Sequence, residues 1–150
     1  MSDSQNILKT ARDRARKLGV TYEGSVTPDE AHALMQADPT ARIVDVRSKA
    51  EWEFVGRIPG AIEIEWKTWP GMQPNPKFMT ELAAKVPPDV PVLFLCRSGG
   101  RSHDAALAAQ QAGYQDAYNI LEGFEGDKDA GQHRNTTGGW RAAGLPWVQG

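Results

Sequence analysis

The chain has 150 residues and a mass of 16.4 kDa, which is the length of one ordinary domain. Hydrophobic residues make up 40% and charged residues 24%, a composition typical of a globular protein rather than of a disordered chain. The net charge of −2 argues against a protein that binds nucleic acid by electrostatic attraction. The single cysteine, Cys96, excludes an intramolecular disulfide and a zinc site built from several cysteines.

The first segment, residues 1–19, carries five basic and two acidic residues, and its apolar residues recur at helical spacing. We expect an amphipathic helix that packs on the domain formed by residues 20–150 and keeps its basic side chains in solvent rather than docking a partner. No apolar stretch of a secretory signal follows the charges, and no run approaches the roughly 18 apolar residues of a membrane-spanning helix. The protein is therefore expected to be cytoplasmic, with no membrane partner.

Helix and strand signals alternate along the rest of the chain. Two capping boxes, Thr27 with Glu30 and Ser48 with Glu51, mark helix starts. In chain order the sequence predicts a helix over 28–37, a strand over 41–46, a helix over 48–54, a strand over 61–64, a helix over 75–86, a strand over 92–95, a helix over 102–112, a strand over 117–121 and a short helix over 140–143. This alternation is typical of a parallel sheet with helices on both faces.

Cys96 follows the most convincing predicted strand, at the sheet edge where open α/β folds bind their ligands. Residues 96–102 (CRSGGRS) contain small residues, which permit a tightly wound loop whose backbone N–H groups converge on one point. Arg97, Arg101 and the start of the next helix add positive charge, which favours a thiolate. A buried cysteine acting as a small hydrophobe would not explain these neighbours. The pattern predicts a reactive thiol.

Residues 96–101 (CRSGGR) resemble the active-site loop of the rhodanese sulfurtransferases, whose pattern is Cys-Arg-x-Gly-x-Arg or Thr. Further segments resemble this family in the same order, and they are residues 43–47 (IVDVR), 51–52 (EW), 56–61 (GRIPGA), 121–124 (LEGF) and 140–146 (WRAAGLP). Arg57 stands where histidine is common. The resemblance covers roughly residues 20–148 and implies a rhodanese-like three-layer α/β/α sandwich with a central, mainly parallel five-stranded sheet.

The resemblance also implies an activity: transfer of a sulfane sulfur from thiosulfate or a related donor to a thiol, to cyanide or to a sulfur-accepting protein. Cys96 would be the nucleophile and would carry the sulfur as a persulfide. The loop after it would bind the substrate through its backbone N–H groups and its arginines, and the residues concerned are Arg97, Ser98, Gly99, Gly100, Arg101 and Ser102.

Four further residues are candidates for supporting roles. Asp45 and Arg47 end a predicted strand at the same sheet edge. They either face the substrate or, as we favour, Asp45 braces the loop while Arg47 pairs with Glu51 or another acid. Trp66 and Phe124 lie in predicted loops, and we expect them on the rim of the substrate pocket.

The three histidines do not suggest a metal centre. His103 follows the loop by one residue and is expected to be solvated, while His32 and His133 lack the spacing of metal ligands. The sequence therefore predicts no metal and no cofactor.

Two other functions belong to different classes. Cysteine phosphatases place five residues between cysteine and arginine and usually a histidine before the cysteine. Here four residues separate Cys96 from Arg101, and Leu95 precedes the cysteine. Non-catalytic binding modules of the rhodanese fold usually lose the cysteine or degrade the loop, and this chain has kept both. Both alternatives therefore rank below a sulfurtransferase.

Overall fold

The computed structural model describes residues 3–149. The first two residues of the predicted N-terminal helix (1–19) and the last residue of the predicted domain (20–150) lie outside the described residues. The helices are α1 (Asp3–Leu18), α2 (Pro28–Ala37), α3 (Lys49–Phe54), α4 (Phe78–Lys85) and α5 (Gly100–Gln111). The strands are β1 (Gly24–Val26), β2 (Arg42–Asp45), β3 (Ile62–Glu63), β4 (Lys67–Thr68), β5 (Gln73–Pro74), β6 (Val92–Leu95) and β7 (Ala117–Ile120).

Five strands form one parallel sheet in the order β1-β7-β6-β2-β3. Strand β6 lies at its centre, and all four of its residues are buried, because a central parallel strand is covered on both faces. Strands β4 and β5 form a separate antiparallel pair. The predicted fold, a three-layer sandwich around a mainly parallel five-stranded sheet, is confirmed.

The two faces of the sheet carry separate apolar layers, because successive side chains of a strand point in opposite directions. Helices α4 and α5 cover one face, and the buried residues of that layer include Val44, Val92, Phe94, Cys96, Phe78, Leu82 and Ala105. Helices α1 and α2 cover the other face, and that layer includes Ile43, Leu93, Leu95, Tyr118, Ala11, Leu34, Phe124 and Trp140. Cys96, the residue directly after β6, therefore lies on the face of the sheet that α4 and α5 cover.

Both predicted capping boxes are present. The Thr27 hydroxyl accepts the amide of Glu30, and the Glu30 carboxylate accepts the amide of Thr27. Ser48 and Glu51 make the same reciprocal pair at the start of α3. These local signals place the helix starts correctly, since both partners of each bond lie within one turn.

Other elements differ from the predictions. The segment 140–143, predicted as a helix, consists of turns bounded by Gly139 and Gly144, both of which have a positive φ. Helix α4 begins at Phe78 instead of near residue 75, since the Asn75 side chain accepts the amide of Lys77 and holds a turn there. Strands β1, β4 and β5 were not predicted, because two or three residues are too few to show a period.

Helix α1 packs against β1 and α2 through its apolar face, on which Ala11 is fully buried. Its basic face is not wholly solvated, because Arg12 pairs with Glu23 and Arg14 pairs with Glu30, both at 2.8 Å. No helix within residues 3–149 combines the length and the hydropathy needed to cross a bilayer.

Candidate active site

The cysteine loop wraps around its own sulfur. Cys96 follows β6 and is only 1% exposed, and the main-chain N–H of Gly99 donates a hydrogen bond to its Sγ at 3.1 Å. Gly99 has a φ of +115° and caps the N-terminus of α5. A residue with a Cβ is disfavoured in this left-handed conformation. Glycine at this position therefore lets the chain turn back so that its N–H points at the sulfur.

The Ser102 hydroxyl is the second group within hydrogen-bond distance of the sulfur, and it also contacts the side-chain amide of Asn119. Ser102 Oγ is 3.3 Å from Cys96 Sγ and 2.5 Å from Asn119 Oδ1. The Asn119 amide also donates to the Gly99 carbonyl at 3.4 Å, which fixes which way the amide faces. A hydroxyl has one proton, so Ser102 donates either to Asn119 or to the sulfur. A charged sulfur attracts that proton, whereas a neutral thiol leaves it with Asn119.

Asn119 was not among the predicted site residues. It lies on β7, where it is the one polar side chain in a buried run of otherwise apolar or aromatic residues. A buried polar side chain inside a strand is the signal that could have identified it, because such a group needs a hydrogen-bonding partner.

Arg101 is bound to Glu51 rather than left free for an anion. Its two terminal nitrogens donate to the two carboxylate oxygens of Glu51, at 2.6 and 2.9 Å. Burial raises the pKa of Glu51, but the hydrogen bonds and the charge of Arg101 outweigh it, and with Ser48 they bring the pKa to about 2. The charge of Arg101 is therefore balanced by that of Glu51, and its role in substrate binding stays a prediction.

Asp45 and Arg47 form a fully buried ion pair, in which Arg47 Nη2 lies 2.8 Å from Asp45 Oδ2. Arg47 also donates to the Gly56 carbonyl at 2.8 Å, and its guanidinium lies 4.2 Å from the centre of the Phe124 ring. The partner predicted for Arg47, Glu51 or another acid, is thus Asp45. Both side chains are fully buried, so neither is exposed to a ligand at this edge of the sheet.

The Asp45–Arg47 pair supports the cysteine indirectly, through contacts of Phe124 with both Arg47 and Cys96. The Phe124 amide donates to the Cys96 carbonyl at 2.8 Å, while its ring is fully buried against Arg47. Gly123 makes the approach possible, since a Cβ there would lie 2.5 Å from the Cys96 carbonyl oxygen. The prediction of Phe124 on the pocket rim is therefore wrong: its ring belongs to the core, and its backbone holds the loop.

A cavity of about 520 Å³ opens beside the loop. It is lined by Ser48, Ala50, Glu51, Phe54, Val55, Trp69, Met72, Arg97, Arg101 and Glu125. Trp66 is not part of the lining, because its ring packs on Phe78 at a centroid distance of 4.9 Å. The aromatic residues of the lining are Phe54, which is 76% exposed, and Trp69, which is 61% exposed. Of the predicted substrate-binding residues, Arg97 and Arg101 face this cavity.

His103 is not solvated as expected. It is half-buried, and its Nδ1 lies 2.7 Å from the Tyr22 hydroxyl, with the two rings packed edge to face. The pair ties α5 to the segment that precedes β1. His103 therefore has a structural partner and is not part of the cavity lining.

Comparison with known proteins identifies this arrangement. The model of the rhodanese-like domain matches residues 27–130, which is more than half of the chain. The chain belongs to the rhodanese-like family. Its structure superposes on the crystal structure of Rv0390 from M. tuberculosis with a TM-score of 0.81 and 46% sequence identity, covering 87% of this chain and all of that one.

Two relatives extend the comparison. The chain is 33% identical over 129 residues to the uncharacterized protein RC0915 of Rickettsia conorii, covering 82% of this chain and 95% of that protein. It is 30% identical over 103 residues to the probable adenylyltransferase/sulfurtransferase MoeZ of Mycobacterium tuberculosis, covering 67% of this chain and 23% of MoeZ. The matched segment is thus less than a quarter of MoeZ but two thirds of this chain.

The left-handed turn at Gly99 predicts a difference between two adjacent glycines. A Gly99→Ala variant should lose roughly 1–2 kcal/mol of unfolding free energy, because alanine is strained at a φ of +115°. Gly100→Ala is the matched control: its Cβ meets open space on the first residue of α5, where alanine is the better helix former. Denaturant unfolding measures both. Equal stability of the two variants would contradict the loop geometry.

The Glu51–Arg101 pair predicts a pH-dependent contribution to stability. Because the folded-state pKa of Glu51 is about 2 and its ordinary value is 4.5, the pair stabilises the fold above pH 4.5 and loses this effect as pH falls toward 2. Glu51→Gln keeps a capping side chain but removes the charge. It should cost about 1–3 kcal/mol at pH 7, and this difference from wild type should shrink in acid.

The measurement is denaturant unfolding of both proteins at pH 7 and at points between pH 5 and pH 2. Glu53→Gln, an exposed change on the same helix, serves as the control and should alter stability by less than about 0.5 kcal/mol. A difference between wild type and Glu51→Gln that is the same at every pH would rule out a pH-dependent ion pair.

Proposed function

We propose that the protein is a sulfurtransferase that moves a sulfane sulfur from thiosulfate or a related donor to a thiophilic acceptor through a persulfide on Cys96. The observation that carries this proposal is the position of the sulfur, at the end of β6, with the Gly99 N–H directed at it from 3.1 Å. Membership of the rhodanese-like family and the similarity to a probable sulfurtransferase support the same class of reaction.

In the first half-reaction the Cys96 thiolate attacks the outer sulfur of the donor. The S–S bond of thiosulfate breaks, its electron pair leaves with sulfite, and the outer sulfur stays bonded to Sγ as a persulfide. No separate oxidant or reductant is needed, because the donor already holds sulfur at the required oxidation level. The reaction is covalent catalysis in two steps, which gives ping-pong kinetics.

The loop supplies donors for the charge that the sulfur carries. The Gly99 N–H and the Ser102 hydroxyl both lie within hydrogen-bond distance of Sγ, and Sγ lies beside the N-terminus of the twelve-residue helix α5. The Gly99 N–H already points at the sulfur, and the Ser102 hydroxyl has to turn only its proton, so little reorganisation accompanies the development of charge. In the proposed reaction the other amides of the loop would hold the outer sulfur as it adds to Cys96.

Arg97 is the cation left to attract the donor. Its side chain is exposed and makes no ion pair within the described residues, whereas Arg101 is neutralised by Glu51. A free guanidinium at the mouth of the cavity raises the local concentration of an anionic donor. The two arginines of the loop therefore have different roles: Arg97 recruits the donor, and Arg101 fixes the position of α3 against the loop.

In the second half-reaction a thiol, cyanide or a sulfur-accepting protein removes the outer sulfur and restores the thiolate. Cys96 is the single cysteine of the chain, so no internal thiol can resolve the persulfide. The acceptor must come from outside. Neither half-reaction calls for a metal, a cofactor or a nucleic acid.

Replacement of the nucleophile tests the proposal. Wild-type protein with thiosulfate and cyanide should form thiocyanate, and Cys96→Ser should lose this activity entirely, because serine cannot form a persulfide. The same proteins are tested with p-nitrophenyl phosphate, which should not be hydrolysed. Hydrolysis of the phosphate ester alone would favour the phosphatase alternative. Absence of both activities in the wild type, with these and larger sulfur donors, would favour the binding module.

A further inference from the structure

The cavity beside the loop is larger than the proposed inorganic reactants require. Its volume of about 520 Å³ falls within the range of roughly 300–1,000 Å³ typical of pockets for organic ligands. Thiosulfate and cyanide are ions of a few atoms, and either would leave most of this space to water. The size of the cavity therefore indicates an organic reactant.

The walls of the cavity are apolar and solvent-exposed. Phe54, at the end of α3, is 76% exposed, and Trp69, in the segment that joins β4 to β5, is 61% exposed. Both line the cavity, together with Val55 and Met72. Cys96 itself is not part of the lining, and the cavity meets the cysteine loop at Arg97 and Arg101. Large aromatic side chains held in solvent provide a surface for an apolar group, because contact with a ligand removes them from water.

The charges of the lining limit the charge of the ligand. Two cations, Arg97 and Arg101, and two anions, Glu51 and Glu125, face the cavity, so the lining is formally neutral. Arg101 and Glu51 neutralise each other as an ion pair. Arg97 is thus the cation that remains for a ligand. One unpaired guanidinium can pair with one carboxylate of an acceptor.

We propose that the cavity binds the sulfur acceptor, and that this acceptor is an organic thiol with one negative charge and an apolar body. Its carboxylate pairs with Arg97, its body packs against Phe54 and Trp69, and its sulfur points toward Cys96. The inference rests on the sulfur transfer proposed above and names the class of compound that completes it.

The transfer is balanced without any further reactant. The thiol loses its proton to solvent, and the resulting thiolate attacks the outer sulfur of the Cys96 persulfide. A new S–S bond forms in the acceptor while the bond between the outer sulfur and Sγ breaks, and its electron pair returns to Sγ. The products are an organic persulfide and the Cys96 thiolate.

Two acceptors that differ by a ring test the proposal: 4-mercaptobenzoate and mercaptoacetate, each with one thiol and one carboxylate. Their kcat/KM values are measured with saturating thiosulfate for wild type, Phe54→Ala and Trp69→Ala. In each variant the ratio of the value for the aromatic thiol to that for mercaptoacetate should fall about five- to tenfold relative to wild type. Because the ratio of each variant is divided by the ratio of the wild type, the different intrinsic reactivities of the two thiols cancel.

The matched control is Leu18→Ala, which also removes an exposed large hydrophobic side chain but lies at the end of α1, outside the cavity lining. It should leave the ratio unchanged. Arg97→Ala should raise the KM of both carboxylate thiols but not that of neutral 2-mercaptoethanol.

The two levels of the proposal fail in different ways. If the wild type forms no persulfide and no thiocyanate, the sulfur-transfer function itself is wrong. If persulfide forms and is discharged to cyanide, but the ratio stays the same in both Phe54→Ala and Trp69→Ala, the function stands and the proposed acceptor class is overturned.

Discussion

The hydrogen bond from the Gly99 N–H to the Cys96 sulfur is the contact on which the site depends. It requires the chain to reverse direction within three residues of Cys96, which in turn requires a left-handed residue at position 99. The sulfur is almost completely buried, so a charge on it must be met by donors of the protein rather than by water. The amide, the Ser102 hydroxyl and the start of α5 are the groups that meet it.

A second set of contacts, made by Phe124, holds the backbone of this loop at Cys96. The Phe124 amide binds the Cys96 carbonyl, and the Phe124 ring lies against Arg47, which is itself fixed by Asp45. Such a buried ion pair contributes little net stability once the cost of desolvating both charges is counted. Its effect is geometric: it fixes the turn at Gly123 against the end of β6, so that the carbonyl of Cys96 is held by the Phe124 amide.

Local signals in the sequence predicted much of this arrangement. The capping boxes at Thr27 and Ser48 and the buried run before Cys96 each depend on residues within a few positions of one another, and the structure has all of them. The cysteine loop is also local, so the small residues that wind it could be recognised directly. The resemblance to the rhodanese family then indicated a three-layer sandwich with a mainly parallel five-stranded sheet, but not the order of its strands.

Contacts between distant segments could not be predicted in the same way. Arg101 and Glu51 are fifty positions apart, and only the packing of α3 beside the loop shows that they form an ion pair. The rim residue is Trp69 rather than Trp66, because the direction of each ring depends on the short β4–β5 pair, which has no sequence period. Asn119 acts through Ser102, and their contact depends on α5 packing against β7.

The central claim is that Cys96 carries the transferred sulfur. The most direct test is the intact mass of the protein after incubation with thiosulfate and removal of excess donor, followed by peptide mapping. The account predicts a gain of one sulfur atom, located on the peptide that contains Cys96 and removed by cyanide. An unchanged mass under conditions in which thiocyanate is produced, or an added sulfur on any other peptide, would contradict it.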